Sequence, residues 1–332
     1  MVSESDITVQ GHGVHTAYVE MAEALEKRKD VEVIRGGFGQ TVDCDVVHLH
    51  TFGPSIWRKI MRRGSAKVIS AHVVPDSLVG SIILAKYWMP LMRRYMQWYY
   101  NRADKVLAVS KTVANVLHDD LKVPKSKIEV FYNTIDMSRY KFTAADKKAA
   151  RKRLDIAEDV FMVLGNGQVQ PRKRLDVFVK MAKDLPDIEF VWVGGIPFKK
   201  LGADYAKMQH LMDNVPANMT ITGVIPHEKV SDYLAAADVF CLPAEQENHP
   251  MCVLEAAGAG LPIILRDIPE YNDTFGDDAI RCKDDGFTEA VKKLRSSKTA
   301  YESQQKKTKA IAERFDSSAA AERLVKIYRQ LV

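Results

Sequence analysis

The stretch DVFCLPAEQENHPMCVLEAAGAG, at residues 238–260, contains a strand, a loop and a helix in immediate succession. Val239–Leu242 has the length and apolar character of a buried strand, and Cys252–Ala259 is predicted as a helix. Two carboxylates, Glu247 and Glu255, are separated by seven residues across the entry to that helix. A helix entry offers backbone N–H groups and a positive dipole end to a diphosphate, and carboxylates accept hydrogen bonds from hydroxyls. The alternative is a pair of solvated surface acids around a helix start.

The same succession of strands and helices extends in both directions along the chain. Alternating βαβα order implies parallel sheets covered by helices on both faces, and right-handed crossovers make the fold doubly wound. Such sheets bind ligands at the carboxyl ends of their strands. The other predicted strands are Val46–Leu49, Lys67–Ser70, Lys105–Val109, Val160–Leu164, Glu189–Val193, Met219–Thr222 and Pro262–Leu265. The other predicted helices are Val14–Glu26, Tyr87–Arg102, Arg174–Lys183, Glu228–Ala236 and Ser317–Leu331.

The alternation falls into two series with a break near Tyr132–Thr143, and 332 residues are enough for two domains. We therefore predict an α/β protein with two Rossmann-like domains, residues 1–140 and 141–315, whose facing strand ends form a cleft. Residues 316–332 are predicted as a helix that packs back on the N-terminal domain, with Asp316 or Ser317 as its N-cap. The opening residues, Met1–Ser5, are typical of the end of a strand that is either short or begins before this sequence.

The composition is that of an ordinary globular protein, with 46% hydrophobic and 27% charged residues. The four cysteines, Cys44, Cys241, Cys252 and Cys282, form no CxxC pair and have no histidine cluster nearby, which argues against a metal site or a disulfide framework. No apolar run reaches the ~20 residues of a membrane span, and no signal peptide is recognisable. These features favour reduced thiols and a cytoplasmic location.

A second motif, GNGQVQPRKRLD at residues 165–176, follows a predicted strand. A glycine-rich turn lets the backbone approach a phosphate closely, and a lysine supplies the counter-charge. The alternative is a basic cap on a surface helix. A weaker Gly-x-Gly pair, Gly11 and Gly13, follows the opening strand, but Thr16 replaces the last glycine of a dinucleotide fingerprint, which disfavours an NAD enzyme.

These segments resemble the motifs of glycosyltransferase family 4, whose members are retaining, nucleotide-sugar-dependent enzymes of the GT-B fold. Residues 238–260 resemble the Glu-x7-Glu signature together with its preceding strand, and residues 165–176 resemble the Gly-Arg…Lys-Gly motif that binds the donor phosphates. Further matches, which extend the resemblance over nearly the whole chain, lie at Ala103–Lys111, Tyr132–Asp136, Gly194–Gly195, Gly223 and the closing helix.

The resemblance implies a nucleotide-sugar site in the second domain and an acceptor site in the first. Glu247 then holds hydroxyls of the donor sugar, Glu255 holds the ribose, and the backbone from His249 to Val253 meets the sugar and the diphosphate. Glu245 competes for the first carboxylate position, but its spacing to Glu255 does not fit.

Two positions depart from the family pattern. Gln168 stands where an arginine is usual, and Arg174 stands where a glycine is common. The resemblance therefore leaves Lys173 to carry the diphosphate, with Arg172 sharing that role. These departures also keep open a non-catalytic protein that binds a nucleotide sugar.

The resemblance further implies that His72, at the end of a strand, touches the donor sugar near the reacting carbon. A single histidine is more often structural, and His48 and His50 are interpreted as mainly structural, with His50 as a second candidate for the cleft. The candidate catalytic residues are His72, Lys173 and Glu247. The candidate donor-binding residues are Gly11, Gly13, Gln168, Arg172, Lys173, Gly223, His249, Pro250, Met251, Cys252, Val253 and Glu255.

The family's reaction lets the leaving phosphate take the acceptor proton, so no protein base is required. We find no DxD-type metal motif in a convincing loop, and we predict neither a metal nor a cofactor beside the sugar nucleotide. Stabilisation of the departing diphosphate then falls to Lys173 and to backbone N–H groups.

The block from Val46 to Ala103 contains nine Lys or Arg residues and one acid, Asp76, in a chain of net charge +5. Basic residues interleaved with Trp, Tyr, Met and Leu suit docking on an anionic membrane, although the same aromatics could simply pack. The candidate membrane-docking residues are Trp57, Arg58, Lys59, Arg62, Arg63, Trp88, Arg93, Arg94 and Trp98. Taken together with the segments SES at residues 3–5, HVVPDSLVGS at residues 72–81 and QVQPRK at residues 168–173, these features make the chain resemble bacterial glucosyl- and diglucosyl-diacylglycerol synthases.

The predicted function is transfer of a hexose, glucose from UDP-glucose, to a membrane glycolipid at the inner face of the cell membrane. A soluble GT-B enzyme of cell-wall or capsular polysaccharide synthesis is the competing prediction. The basic block has no nucleic-acid-binding motif, so we predict no nucleic-acid partner. The sequence does not indicate an oligomeric state.

Overall fold

The structure, a computed structural model, describes residues 1–3, 13–36, 42–78, 85–196 and 204–332. These residues form two compact units. The first contains the described chain up to Asp136 together with Phe315–Val332, and the second contains Met137–Arg314.

The first unit is built on four parallel strands, β1 (Val46–Leu49), β2 (Ala66–Ala71), β3 (Lys105–Ala108) and β4 (Ile128–Val130), hydrogen-bonded in that order. Val2 adds isolated parallel bridges to Gly36 and Leu49. The central strands β2 and β3 bury most of their residues because helices cover the sheet. The helices up to Asp136 are α1 (Gly13–Glu26), α2 (Pro54–Met61), α3 (Pro75–Leu78), α4 (Ala85–Asn101) and α5 (Lys111–Asp119).

The second unit is built on six parallel strands in the order β10-β9-β8-β5-β6-β7. These are β5 (Met162–Asn166), β6 (Glu189–Val193), β7 (Met219–Ile221), β8 (Val239–Leu242), β9 (Ile263–Arg266) and β10 (Ile280–Cys282). Its helices are α6 (Ala144–Arg153), α7 (Leu175–Asp184), α8 (Tyr205–Asp213), α9 (His227–Ala236), α10 (Met251–Gly258), α11 (Gly286–Ser296) and α12 (Lys298–Arg314). The chain runs outward from β5 in one direction and from β8 in the other. The neighbouring strands β5 and β8 therefore form a topological switch point, where doubly wound sheets open a ligand-binding crevice.

The last helix, α13 (Ser317–Arg329), belongs to the first unit although it follows the second in the chain. Asp316 is its N-cap, because its side chain accepts a hydrogen bond from the N–H of Ser318 at 3.0 Å. Leu324 packs with Met21 of α1 in one apolar cluster. Burial of this face of the helix therefore ties the end of the chain to the first unit.

The predicted elements are present with small shifts at their ends. Strand β5 begins at Met162, two residues later than predicted, and continues through Gly165, which the sequence places in a turn. A Cβ at Gly165 would lie 2.5 Å from the Trp192 ring, so glycine is required here for close packing inside the sheet. The edge strands β4 and β10 are not predicted, because each is short, only partly buried and has a charged residue at its centre, so neither forms an apolar run.

Candidate functional site

Two loops meet at the switch point of the second unit. One follows β5 and contains the 3-10 turn Pro171–Lys173, and the other follows β8 and leads into α10. The N–H of Glu245 donates to the carbonyl of Arg172 at 2.8 Å, which joins the loops backbone to backbone. The two motifs that the sequence singles out are thus parts of one site.

Glu247 lies between two cations of the other loop. Lys173 Nζ donates to Glu247 Oε1, and Arg172 Nη1 donates to the same oxygen at 3.1 Å. The Lys173 and Glu247 side chains are 8% and 9% exposed. Burial alone would raise the pKa of this carboxyl, but the neighbouring Lys173 and Arg172 charges outweigh it and hold the pKa of Glu247 below its ordinary value. The carboxylate is therefore ionised, and the three groups together carry one net positive charge.

Both cations share one oxygen of Glu247. Within the described chain, Glu247 Oε2 accepts no hydrogen bond. Arg172 is further held by the carbonyl of Gln246 at 2.9 Å. The arrangement holds two cations in place for an anion and leaves one carboxylate oxygen to accept from a hydroxyl.

Helix α10 begins beside this cluster at Met251, one residue earlier than predicted, and its N-cap Pro250 makes no side-chain hydrogen bond. The first N–H groups of a helix lack intrahelical acceptors, so this end is suited to an anion. Val253 differs from its neighbours, because its N–H donates to the Pro250 carbonyl at 3.2 Å and its side chain is fully buried. Val253 therefore contributes packing. Burial raises the pKa of the Cys252 thiol to about 12, so that thiol is neutral.

His249, in the loop before α10, is buried and stacks on Phe275 with ring centroids 5.5 Å apart and planes 15° from parallel. Burial lowers the pKa of His249 to about 3. The imidazole is therefore neutral at physiological pH and adds no positive charge to the site.

Glu255 lies one turn further along α10 and is almost completely buried. His227, the first residue of α9, lies with Nε2 3.0 Å from Glu255 Oε1. The His227 side chain is about half exposed, at 49%. His227 is a candidate site residue that is not among the sequence predictions. Its place in the loop that follows β7 and Gly223, at the carboxyl end of a strand, is the signal that could have indicated it.

The backbone conformation of Arg174 explains why glycine is common at this position in the family. Its backbone is left-handed, with φ 53° and ψ 48°, a conformation that glycine adopts without cost. Its guanidinium is held by Asp176 at 2.9 Å, by Asp284 at 3.1 Å and by Glu245. Glu245, whose side chain is 52% exposed, is thus the counter-ion of Arg174, whereas Glu247 is the carboxylate beside Lys173.

The remaining donor-site candidates of this unit lie on adjacent loops. Gln168 follows β5, and its Nε2 is buried without a hydrogen-bond partner among the described residues. Gly223 and Gly194 form an antiparallel bridge, and both have positive φ, 70° and 134°. A Cβ at Gly194 would lie 2.1 Å from the carbonyl oxygen of Gly167, so glycine is required there for the loops to pack.

Three histidines of the first unit lie together at β1 and β2. His48 is buried between the hydroxyls of Tyr328, at 2.6 Å, and Ser70, at 2.9 Å, as a structural residue would be. His72 is buried directly after β2, with Nε2 3.1 Å from Nδ1 of His50. Of the two candidate loop glycines, Gly13 is the first residue of α1, and Gly11 lies outside the described residues.

The candidate membrane-docking residues divide into an exposed group and a packed group. On α2, Trp57 is 50% exposed and Arg58 is exposed. Arg63 and Arg94 are also exposed, and Trp88 is partly buried. Trp57, Arg58, Arg63 and Arg94 are therefore accessible at the protein surface.

The packed group has protein partners. Arg62 donates to the carbonyl of Val42 at 2.7 Å, Arg93 pairs with Asp120 at 3.4 Å, and the Trp98 ring lies 5.9 Å from that of Tyr95. Lys59 is partly buried. Trp98 is partly buried against the core, and the docking role of the nine residues stays a prediction. Three further large hydrophobic residues of these two helices are exposed: Met61 at 43%, Tyr87 at 83% and Leu91 at 74%.

Within the described ranges, no helix combines the length and the hydropathy that a membrane crossing requires. The same part of the chain contains no group of three or more His, Cys, Asp or Glu side chains placed to hold a metal ion.

Two parallel α/β units, with a paired carboxylate, a basic loop and a helix N-terminus gathered at a switch point, define a nucleotide-sugar-dependent glycosyltransferase of the GT-B fold. Residues 146–314 match the family model of glycosyl transferases group 1, and residues 31–139 match that of glycosyltransferase family 4. The chain belongs to the glycosyl transferases group 1 family, and the resemblance to family 4 is confirmed.

Two relatives match most of the chain. The alpha-galactosylglucosyldiacylglycerol synthase of Streptococcus pneumoniae is 31% identical over 82% of this chain and 72% of its own length. The processive diacylglycerol alpha-glucosyltransferase of Acholeplasma laidlawii is 24% identical over 82% of this chain and 80% of its own length. Among solved structures, HepE of Anabaena superposes with a TM-score of 0.72 at 16% identity, covering 86% of this chain and 78% of HepE, which confirms the GT-B fold.

Proposed function

We propose that this glycosyltransferase is a retaining enzyme that moves glucose from UDP-glucose to a membrane lipid acceptor, which is diacylglycerol or the glycolipid monoglucosyl-diacylglycerol. The observation that carries the proposal is the 31% identity to a relative named for a glycolipid product, over 72% of that relative's length. A second relative is named for alpha-glucosyl transfer to diacylglycerol, which supports glucose and retention.

In the proposed reaction, Lys173, Arg172 and the first turn of α10 bind the donor diphosphate. Negative charge grows on the diphosphate as the bond between the anomeric carbon and the phosphate oxygen breaks. Glu247 holds both cations before the donor binds, so little reorganisation is needed when that charge develops. Removing one such preorganised donor typically costs about 10²-fold in kcat.

The two carboxylates have separate roles in this proposal. Glu247 accepts hydrogen bonds from the donor sugar through Oε2, since Oε1 is occupied by the two cations. Glu255 accepts from the ribose, with His227 holding its Oε1 at 3.0 Å. Both carboxylates are buried, which strengthens their hydrogen bonds to hydroxyls.

The anomeric configuration of the sugar is retained if the acceptor alcohol attacks the anomeric carbon from the same face as the leaving group departs. The acceptor oxygen forms the new bond to the anomeric carbon, the bond to the phosphate oxygen breaks, and the acceptor proton passes to that phosphate oxygen. The chain then needs to supply no base, and neither a metal nor a cofactor enters the proposal.

We propose the exposed residues of α2 and α4 as the membrane-docking surface. Tyr87, Leu91 and Arg94 are exposed at i, i+4 and i+7, so they lie on one face of α4. Trp57 and Met61 are exposed in the same way on α2. Apolar and aromatic side chains beside basic ones are the composition of an interfacial helix on an anionic leaflet. Each exposed arginine near such a surface contributes about 1 kcal/mol.

The test crosses UDP-, GDP- and ADP-glucose with vesicles that contain diacylglycerol or monoglucosyl-diacylglycerol, and the anomeric configuration of the product is read by NMR. We expect an α-linked glucolipid from UDP-glucose. Transfer to oligosaccharide acceptors with none to vesicles would favour the enzyme of polysaccharide synthesis. Absence of both transfer and hydrolysis for every sugar nucleotide would favour the non-catalytic binding protein.

Membrane docking is tested separately by co-sedimentation with vesicles of anionic or of zwitterionic lipid. We expect binding to anionic vesicles that weakens as salt is raised, because exposed charges are screened. Equal binding to both kinds of vesicle would contradict the electrostatic part of the proposal.

A further inference from the structure

The three histidines of the first unit form a stack that ends at the candidate catalytic residue His72. The ring centroids of His48 and His50 lie 4.4 Å apart, and those of His50 and His72 lie 5.4 Å apart. His50 Nδ1 is 3.1 Å from His72 Nε2, so one of these nitrogens donates a hydrogen bond to the other. His50 and His72 are 2% and 8% exposed, and His72 is thus the member of the pair nearer to solvent.

Burial keeps His48 and His50 neutral. Removal from water disfavours the imidazolium form, and the pKa of each lies well below its ordinary value. A neutral imidazole has one N–H donor and one acceptor nitrogen. The hydrogen bond between His50 and His72 therefore has a direction, and that direction sets the tautomer of both rings.

The surroundings of the second nitrogen of His50 set this direction. His50 Nε2 is buried and has no hydrogen-bond partner in the part of the chain that the structure describes. A proton there would leave a buried N–H without an acceptor, and orphaned buried N–H groups are rarer than under-satisfied acceptors. The proton of His50 therefore lies on Nδ1, which donates to His72 Nε2.

We propose that His50 is a positioning residue that holds His72 in the tautomer protonated on Nδ1. His72 Nε2 is then used as an acceptor, and Nδ1–H is a donor. In the transfer reaction of the proposed function, on which this inference rests, His72 donates a hydrogen bond to an oxygen of the sugar nucleotide and takes no proton from the acceptor alcohol. A leaving phosphate that accepts the proton is consistent with this role.

Two substitutions at His50 separate positioning from packing. His50→Asn keeps an N–H donor near the position of Nδ1, whereas His50→Leu keeps an apolar volume and removes the donor. The tautomer of His72 is read from long-range ¹⁵N–¹H correlation spectra of protein labelled in its histidine rings. His72→Gln assigns the His72 signals by their loss.

We expect His72 to be protonated on Nδ1 in the native protein and in His50→Asn, and to show protonation on Nε2 in His50→Leu. Protonation of His72 on Nε2 in the native protein overturns the proposal, and this readout does not depend on activity. It also does not depend on the stability of either variant.

Kinetics give the second readout. We expect kcat/KM for the sugar nucleotide to fall about threefold to tenfold in His50→Leu, the effect of one weakened hydrogen bond, and to change less than about twofold in His50→Asn. Equal losses in both variants, with the His72 tautomer unchanged, would show a packing role and overturn the proposal. Normal turnover in His72→Gln would instead refute the place of His72 in the proposed function, while the spectra of the native protein still decide the tautomer.

Discussion

Replacing Glu247 with Gln removes one negative charge from between two cations and preserves the size of the side chain. In the native site, Lys173 Nζ and Arg172 Nη1 both donate to Glu247 Oε1. The Lys173 side chain is only 8% exposed, so the variant leaves a buried ammonium group without its counter-ion. This substitution tests whether the contact of Glu247 with Lys173 and Arg172 holds the site together.

Removing one partner of a buried ion pair typically costs about 3–5 kcal/mol. The Arg172 side chain is 21% exposed, so solvent screens its charge and lowers the cost of leaving that charge without Glu247. We therefore expect the free energy of unfolding of Glu247→Gln to fall by about 3 kcal/mol at pH 7, as measured by urea denaturation.

The stability difference between the native protein and Glu247→Gln also depends on pH. The folded-state pKa of Glu247 lies below its ordinary value of 4.5, so its contribution is fully present above pH 4.5 and is lost as the pH falls through the lower folded-state value. Urea denaturation of both proteins at decreasing pH should show a constant difference down to about pH 4.5 and a shrinking difference below it.

In Glu247→Gln, kcat should fall, whereas the affinity for the nucleotide should not. Loss of one charge-assisted hydrogen bond to the donor sugar costs up to about 3 kcal/mol, which corresponds to about 10²-fold in kcat. Binding of UDP, measured by calorimetry, should be unchanged or tighter, because the variant site carries one more net positive charge. Steady-state assays with the sugar nucleotide measure the first effect.

Glu245→Gln is the matched control, because Glu245 is in the same loop but 52% exposed and paired with Arg174. It should change the free energy of unfolding by less than about 1 kcal/mol and leave turnover within about twofold. Native-like turnover in Glu247→Gln, or a larger loss in the control than in Glu247→Gln, would refute the assignment of the first carboxylate.

Three further changes probe other parts of the protein. His227→Ala should raise KM for the sugar nucleotide about fivefold with little change in kcat, because Glu255 loses the partner that holds its Oε1 at 3.0 Å. Gly194→Ala should lower the free energy of unfolding by about 2–3 kcal/mol, since its Cβ would lie 2.1 Å from the Gly167 carbonyl oxygen, and thermal unfolding measures the loss. Leu91→Ser should weaken vesicle co-sedimentation about tenfold without changing stability, because a side chain that is 74% exposed has little folded-state contact to lose.

A fall in kcat without a rise in KM for His227→Ala would place that residue in the chemical step. Native-like stability of Gly194→Ala would mean that the loops tolerate a shift there. Unaltered vesicle binding of Leu91→Ser would remove α4 from the docking surface.

Local sequence patterns were sufficient for the class of fold and for the position of the donor motifs. Strands such as Glu189–Val193 and Val239–Leu242 match their predicted bounds, because a buried parallel strand is a short apolar run with clear ends. The loop and helix predicted to carry Glu247 and Glu255 are likewise present, since both residues lie on one continuous segment of the chain. Each of these features depends on residues close together in the chain.

Contacts between distant residues required the tertiary structure. Lys173 and Glu247 are 74 positions apart, and they meet because β5 and β8 are neighbours at the switch point, which the order of elements along the chain does not reveal. The distinction between Glu245 and Glu247 depends on burial. His50 acquires its relation to His72 only when β1 pairs with β2.

The surface of the first unit shows the same division. The sequence predicted an amphipathic, basic helix over Tyr87–Arg102, and the structure has α4 at Ala85–Asn101. Composition alone could not assign its faces, because aromatic side chains are stabilised both in a protein core and at a membrane interface. In the structure, Trp98 is partly buried against the core, whereas Tyr87 and Leu91 are exposed.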